Sequence, residues 1–345
     1  MRKQFWLAGL VLVIWMVVDW LSLALLPVFG LSYGHPLPGW ISFAMTRWAT
    51  FVAWGMGWMM MQKRVGGQLL LRWLVFVQVL LTALVVYGFY IEPFQLTTGQ
   101  VTIETDRLPA GQRLRIVHLS DLHMEYITVR ERALIPLVQG LNADVIVWTG
   151  DYFNTSFGSD PVTWEHARQI VETLDAPMGV YAVNGSVEYV EHAQRLFDGI
   201  TGARVLNDEA VALDVGGQRV WILGVSDIWR ERDRQALRSL SMDLPEDEFR
   251  VLLYHSPDLM DVAIAQKMNL YLAGHTHGGQ VRLPIYGALV TFSDFGKRYE
   301  MGMYEEFGTT LYVTRGLGME GTVAPRVRFL APPEVVVIDL IGTGQ

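Results

Sequence analysis

The chain contains no cysteine. That absence removes disulfide frameworks, thiolate zinc sites, iron–sulfur clusters and cysteine nucleophiles, and it leaves the redox compartment undetermined. Acidic residues are nearly missing from the first 95 positions. There, Asp19 and Glu92 stand against Arg2, Lys3, Arg47, Lys63, Arg64 and Arg72, a net of +4. The whole chain is at −8, so residues 96–345 carry −12. An acidic domain disfavours polyanions, so nucleic acid is not expected as a partner. A phosphorylated ligand would need positive charge supplied locally, and metal ions are one source. No repeat and no low-complexity tract is visible.

What the first 95 residues do have is long apolar runs. Three of them, Phe5 to Phe29, Trp40 to Met61 and Leu69 to Phe89, reach the roughly 20 residues a spanning helix needs. Trp6, Trp40, Trp58 and Trp73 fall near their ends, where an amphipathic ring prefers the headgroup region. The pattern predicts three transmembrane helices in a multi-pass segment over residues 1–95, with no small-residue cleavage site after the first. Arg2 and Lys3 before the first run, and Lys63 and Arg64 between the second and third, predict a cytoplasmic N-terminus and an extracytoplasmic large domain. Asp19 is the one acid within a run, and Arg47 on a neighbouring run is its expected structural partner.

After a short linker from Glu92 to Gln100 the pattern changes. Residues 114–120, 143–150, 179–183, 219–225, 249–255, 269–275, 310–316 and 334–340 read as strands, and 129–141 and 163–174 have helical period. Residues 96–345 are therefore expected to form one α/β domain. Ligands of such sheets gather at the carboxyl ends of strands, and the polar residues fall there. Ser-Asp-Leu-His (120–123) places Asp121 and His123 two positions apart, and Gly-His-Thr-His-Gly-Gly (274–279) repeats that spacing with His275 and His277. In extended backbone such pairs point the same way and can share an ion. Asp151, following a strand and a glycine, can bridge two ions, and His255 adds another nitrogen. Each feature alone is unremarkable, and His35, His118, His166 and His192 read as ordinary polar residues. In this order at successive strand ends, they point to a metal site.

These motifs resemble the calcineurin-like metallophosphoesterases, and the tails GHTHGGQVRLPIYGALV (274–290) and YVTRGLG (312–318) resemble the membrane-associated branch related to UDP-2,3-diacylglucosamine pyrophosphatase. The resemblance covers about residues 100–342 and implies a sandwich of two mixed sheets flanked by helices. It implies two divalent metal ions (Mn, Fe or Zn) and attack of a metal-bridging hydroxide on a phosphodiester or diphosphate bond. Asp121, His123, Asp151 and His277 would hold one ion, and Asp151, His255 and His275 the other. Asp121, Asp151, His255 and Glu188 would serve catalysis. Family members also supply an asparagine and a histidine from a Gly-Asn-His-acid motif. That motif aligns with Gly185, Ser186, Val187 and Glu188, so Ser186 stands at the metal-ligand position and Val187 at the histidine.

The expected function is thus a membrane-anchored phosphohydrolase, with the anchor suggesting a lipid-linked or nucleotide-linked substrate. The two departures at Ser186 and Val187 raise a rival, a metal-binding or sensing pseudoenzyme. A transport or scaffold role for the spans has only Asp19 and Arg47 to recommend it.

Overall fold

The computed structural model describes residues 2–321 and 325–344; the side chains of Arg2, Gln62, Lys63 and Val65 lie outside that description. The orientation expectation drawn in part from Arg2 and Lys63 therefore rests on side chains that are not described. The elements in chain order are α1 (Arg2–Leu25), α2 (Leu37–Val65), α3 (Gly67–Val86), β1 (Thr97–Pro109), β2 (Arg113–Leu119), α4 (Val129–Gly140), β3 (Val145–Trp148), α5 (Pro161–Thr173), β4 (Val180–Ala182), α6 (Val190–Phe197), β5 (Ala203–Val205), β6 (Glu209–Val215), β7 (Gln218–Gly224), α7 (Arg230–Met242), β8 (Phe249–Leu253), α8 (Met260–Ala265), β9 (Leu270–Ala273), β10 (Arg282–Leu283), β11 (Gly287–Ala288), β12 (Gly302–Glu306), β13 (Thr309–Val313) and β14 (Glu334–Gly344). They cluster into two compact units, Met1–Glu92 with Gly321–Val327, and Pro93–Glu320 with Arg328–Gln345.

The first unit is helical. Two stretches, Lys3–Leu25 and Gly67–Phe94, are long and apolar enough to cross a membrane, with mean hydropathies of 2.2 and 2.4. The expectation of three is corrected: α2 is a 29-residue helix, but it does not meet the same test among the described residues. Its sequence mixes Ser42, Thr46, Arg47 and Thr50 with its apolar residues, and an arginine at mid-helix is the costliest insertion of that set. With two such helices rather than three, the odd number of crossings that carried the large domain to the outer side loses its basis. The expected Asp19–Arg47 pair is present and both side chains are buried. Arg47 Nη2 donates to Asp19 Oδ1 at 2.6 Å and Thr82 Oγ1 at 2.8 Å, and Nη1 donates to Gln78 Oε1 at 2.8 Å. The guanidinium is thus neutralised and hydrogen-bonded within the unit, the condition under which a buried charge is tolerated.

The second unit is a sandwich of two six-stranded mixed sheets, ordered β1-β14-β2-β3-β4-β5 and β12-β13-β9-β8-β7-β6. Alternation along each strand sends successive side chains to opposite faces. Leu114, Ile116, Val145 and Val147 pack with Val220, Ile222, Val251 and Leu270 between the sheets. Val117, Leu119, Ile146 and Trp148 face the other way, onto Leu134, Ala167 and Ile170 of α4 and α5. On the second sheet Leu252, Tyr271 and Ala273 meet Leu237, Val262 and Ala263 of α7 and α8. The linker expected to reach Gln100 ends earlier, because Thr97–Gln100 already pair in parallel with Glu334–Val337. Strands β2, β3 and β4 run parallel, as do β7, β8, β9 and β13. The loops after β2, β3, β4, β8 and β9 carry the polar residues singled out from the sequence.

Candidate metal centre

The backbone of these loops is held in an uncommon conformation. Asp121 (φ 51°), His123 (41°), Asp151 (56°), His275 (69°) and His277 (52°) all lie in the left-handed region, which non-glycine residues avoid at a cost of about 1 kcal/mol or more each. Five neighbouring residues do not share such a conformation unless the surroundings impose it. The loops after β2 and β3 interlock: Asp121 N donates to Gly150 O at 2.9 Å and His123 N to Asp151 O at 3.0 Å. Two glycines make room. A Cβ at Gly274 would sit 2.0 Å from Asp121 Oδ2, and one at Gly185 would sit 2.1 Å from Asp151 Oδ1.

Two triads result, Asp121–His123–His277 and Asp151–His255–His275, each with its ligand atoms within 4.8 Å of one another. In the first, His123 Nε2 and His277 Nε2 are 2.9 Å apart and His277 Nε2 is 3.4 Å from Asp121 Oδ1. In the second, His275 Nδ1 and His255 Nε2 are 3.1 Å apart and His255 Nε2 is 3.1 Å from Asp151 Oδ2. The same Asp151 oxygen lies 3.6 Å from His123 Nε2, so one carboxylate atom faces a histidine of each triad. Neighbouring ligands about 2.1 Å from a common divalent ion stand roughly 3 Å apart when the ligand–metal–ligand angle is near 90°. The donor set fits that spacing and chemistry. Asp121, His123, Asp151, His255 and His277 are buried; His275 is half-buried and Ser186 exposed, so the cluster opens on the side of those two. Ser186 Oγ donates toward Asp151 at 3.3 Å and Val187 N donates to Asp151 Oδ1 at 3.0 Å.

The electrostatics follow from crowding. Burial alone would push the Asp151 carboxyl up, but the imidazoles of His255, His123 and His275 outweigh it and hold it far below the usual carboxylate range. Burial likewise would lower His255, yet Asp151 raises it well above an ordinary histidine; a cation and a proton compete for that nitrogen. His277 is held neutral by burial and then by His123 and Arg328. His255 Nδ1 faces Thr149 O at 2.7 Å. A carbonyl can only accept, so the proton sits on Nδ1 and Nε2 presents its lone pair to the cluster.

Glu188 is buried beside the cluster but does not face into it. Its two oxygens accept from Asp151 N at 2.9 Å, Gly185 N at 2.6 Å and Tyr152 N at 3.1 Å. Burial, then the charge of Asp151, pushes its carboxyl up to about 8. It ties the β3 and β4 loops together. Two further residues, invisible to the motif reading, touch the candidate ligands. Glu320 Oε2 lies 3.0 Å from His123 Nδ1, an ion-pair contact without hydrogen-bond alignment, and its charge helps hold that imidazole above its ordinary value against burial. Arg328, fully buried, donates toward His277 Nδ1 at 3.3 Å and to the carbonyls of Arg315, Gly316, Gly318 and Ala331. Gln280, next to the Gly-His-Thr-His-Gly-Gly run, clamps the Glu320 backbone from both sides, at 3.0 and 3.1 Å. The only sequence signal for Glu320 was its place after the 312–318 tail.

A family profile described as calcineurin-like phosphoesterase matches residues 114–279. The chain is 33% identical over 268 residues to the uncharacterized metallophosphoesterase YkuE of Bacillus subtilis (strain 168), covering 74% of this chain and 90% of that protein. It is 29% identical over 269 residues to an uncharacterized metallophosphoesterase of Aquifex aeolicus (strain VF5), covering 74% and 96%. It is 31% identical over 271 residues to the phosphodiesterase YaeI of Escherichia coli (strain K12), covering 74% and 92%.

Proposed function

Because this chain belongs to the calcineurin-like metallophosphoesterases and is a phosphoester hydrolase, we propose that it holds two divalent cations side by side and cleaves a phosphodiester or diphosphate bond. We propose further that its N-terminal helices anchor it to a membrane and that the substrate is lipid-linked. The observation that carries the binuclear reading is Asp151 Oδ2, placed between His255 at 3.1 Å and His123 at 3.6 Å. Asp121, His123 and His277 would hold one ion and His255 and His275 the other, with Asp151 available to both. The nitrogen and oxygen donors suit Mn, Fe or Zn. Ions bound there supply charge neutralisation for the phosphoryl oxygens and acidify a water.

The chain's own residues set the rest. Ser186 gives the second site a shorter, weaker donor than an amide would, and Glu188 positions Asp151 by gripping its backbone N–H. Val187, at the position where the family motif carries a histidine, can neither give a proton to a departing oxygen nor stabilise its charge. General-acid assistance contributes about 10²–10⁴-fold. Its absence falls on substrates whose leaving groups need a proton. Aryl phosphodiesters and diphosphates are the expected good substrates, alkyl phosphates the poor ones. The test is a leaving-group series on the metal-loaded protein and on Ser186→Asn/Val187→His. The reading expects the double variant to gain most on alkyl leaving groups. An equal gain on every substrate would place the defect in metal occupancy. No hydrolysis of any member by the metal-loaded protein would refute turnover.

A further inference from the structure

Beside the ligand cluster the surface becomes apolar. β10 and β11 form a small antiparallel hairpin that exposes Ile285, Tyr286, Leu289 and Val290, and the chain continues to Phe292, 82% exposed. Phe292 O lies 3.3 Å from His275 Nε2, so this loop borders the open side of the cluster. Trp229, 75% exposed, immediately precedes α7, and its neighbour Arg230 ties it to the same rim. Buried Asp258 accepts from Ser293 Oγ at 2.6 Å and Asp294 N at 3.0 Å and pairs with Arg230, whose Nε meets Asp294 Oδ2 at 2.7 Å. Single exposed apolar residues are ordinary, but a contiguous set beside a ligand site marks an interaction surface.

We propose that this rim, built from Ile285, Tyr286, Leu289, Val290, Phe292 and Trp229, is an interfacial lipid-binding surface that seats the mouth of the metal centre on a bilayer. The enzyme would then take an amphiphilic phosphoester directly from the lipid. The proposal rests on the phosphohydrolase reading above. Three observations select lipid over a protein partner. First, the hydrolase unit is joined covalently to the helical unit at three points, after Glu92, before Gly321 and after Val327; the helical unit contains two stretches able to cross a membrane. Second, the foot of the hairpin pairs with Phe329, through the Val281–Phe329 bridge and Arg282 N to Phe329 O at 2.9 Å. Phe329 is two positions along the chain from the end of the Gly321–Val327 segment. Third, the charge is right for headgroups. Residues 282–292 contain Arg282 and no acid; Lys297 Nζ lies on the hairpin carbonyls of Tyr286 and Ala288 at 2.5 and 2.9 Å, and Arg282 and Lys297 share one carboxylate, Glu300, at 2.8 and 3.0 Å, so this group keeps one excess positive charge. An aromatic and aliphatic loop free of acids, with two cations beneath it outnumbering their one carboxylate partner, suits the membrane interface.

The absence of cysteine makes the test clean. The full chain, carrying Ile285→Cys or the control Phe307→Cys, is labelled with an environment-sensitive fluorophore and reconstituted into phosphatidylcholine–phosphatidylglycerol vesicles containing a lipid-borne quencher. Phe307 is an exposed aromatic on the β12–β13 turn. The proposal expects a blue-shifted, lipid-quenched label at 285 and a water-like, unquenched label at 307. A water-like label at 285, or a blue shift there without lipid quenching, as burial against protein would give, overturns it. In parallel, Ile285→Asp/Leu289→Asp should lose about tenfold or more on hexadecyl p-nitrophenyl phosphate dispersed in the vesicles and keep its rate on soluble bis(p-nitrophenyl) phosphate. Equal losses on both, or none on either, overturn it. Failure of the unsubstituted chain on the soluble diester would instead refute the phosphohydrolase reading, while the fluorescence result stands by itself.

Discussion

Removing the carboxylate behind His123 should loosen the first metal site without unfolding the domain. Glu320 Oε2 lies 3.0 Å from His123 Nδ1 and accepts from Thr155 N at 3.1 Å. Its negative charge beside Nδ1 raises the basicity of the imidazole and so makes it a stronger donor at Nε2. A polar contact to a charged partner is worth about 1.5–3 kcal/mol against about 0.5–1.5 for a neutral one. Glu320→Gln keeps an acceptor and loses the charge, so the expected cost is about 1 kcal/mol, roughly fivefold in affinity. Glu320→Ala leaves the Nδ1 proton to solvent, which can reach a side chain 28% exposed. Its cost belongs within the 10- to 100-fold range for lost partners of metal ligands, at the lower end. The assay is calorimetric titration of the metal-free full chain with Mn or Zn, with thermal unfolding of the metal-free forms alongside. Ordered affinities, unsubstituted above Gln above Ala, with unchanged metal-free melting, support the reasoning. Affinities for all three within twofold, or equal losses for Gln and Ala, would refute it.

Other outcomes follow from particular contacts. His118 is fully buried, faces Thr149 Oγ1 at 2.8 Å, and burial pushes it down to about 3. Between that value and the ordinary 6.5 the unfolded chain binds the extra proton, so stability falls as pH falls through this window. At pH 5 the loss is about 2 kcal/mol, and His118→Gln should show a correspondingly smaller drop in melting temperature between pH 7 and 5; parallel pH profiles would contradict this. Asp19→Ala strands the Arg47 guanidinium and should destabilise the helical unit by about 3–5 kcal/mol, read as thermal aggregation in detergent, whereas Asp19→Leu with Arg47→Met should recover most of it. Gly274→Ala forces a methyl to 2.0 Å from Asp121 Oδ2 and 2.2 Å from Ser120 Oγ, so metal capacity should drop while far-ultraviolet circular dichroism stays unchanged; full capacity would show that the loop can yield.

The candidate ligand set was legible because strand ends are legible. Asp121, Asp151, His255 and His275 each follow an apolar run of a buried strand, and a two-residue spacing marks Asp121 with His123 and His275 with His277. Their convergence into two triads needed the sheet order, which no local signal carries. Glu320 and Arg328 were hidden because they come from the irregular stretch between β13 and β14, where no period exists to read. Strand β1 was hidden for another reason: it is half-exposed along its length, so its Thr, Gln and Glu look like linker. Glu188 was found as an acid in a motif, but its role depends on three backbone N–H groups from two loops. The second helix was read as a span on length, while Arg47 and its hydroxyl neighbours lower its hydropathy. The Asp19–Arg47 pairing, by contrast, needed only that two opposite charges are rare in apolar helices.

The central claim is a two-ion centre sharing Asp151, and metal stoichiometry tests it most directly. The purified full chain is stripped with chelator, reloaded separately with Mn, Zn or Fe(II), desalted and measured by elemental analysis, beside Asp151→Asn. The account predicts two ions per chain with at least one of these metals, and fewer than one for the variant. One ion or none in the unsubstituted chain under every loading, or two retained in Asp151→Asn, would contradict it.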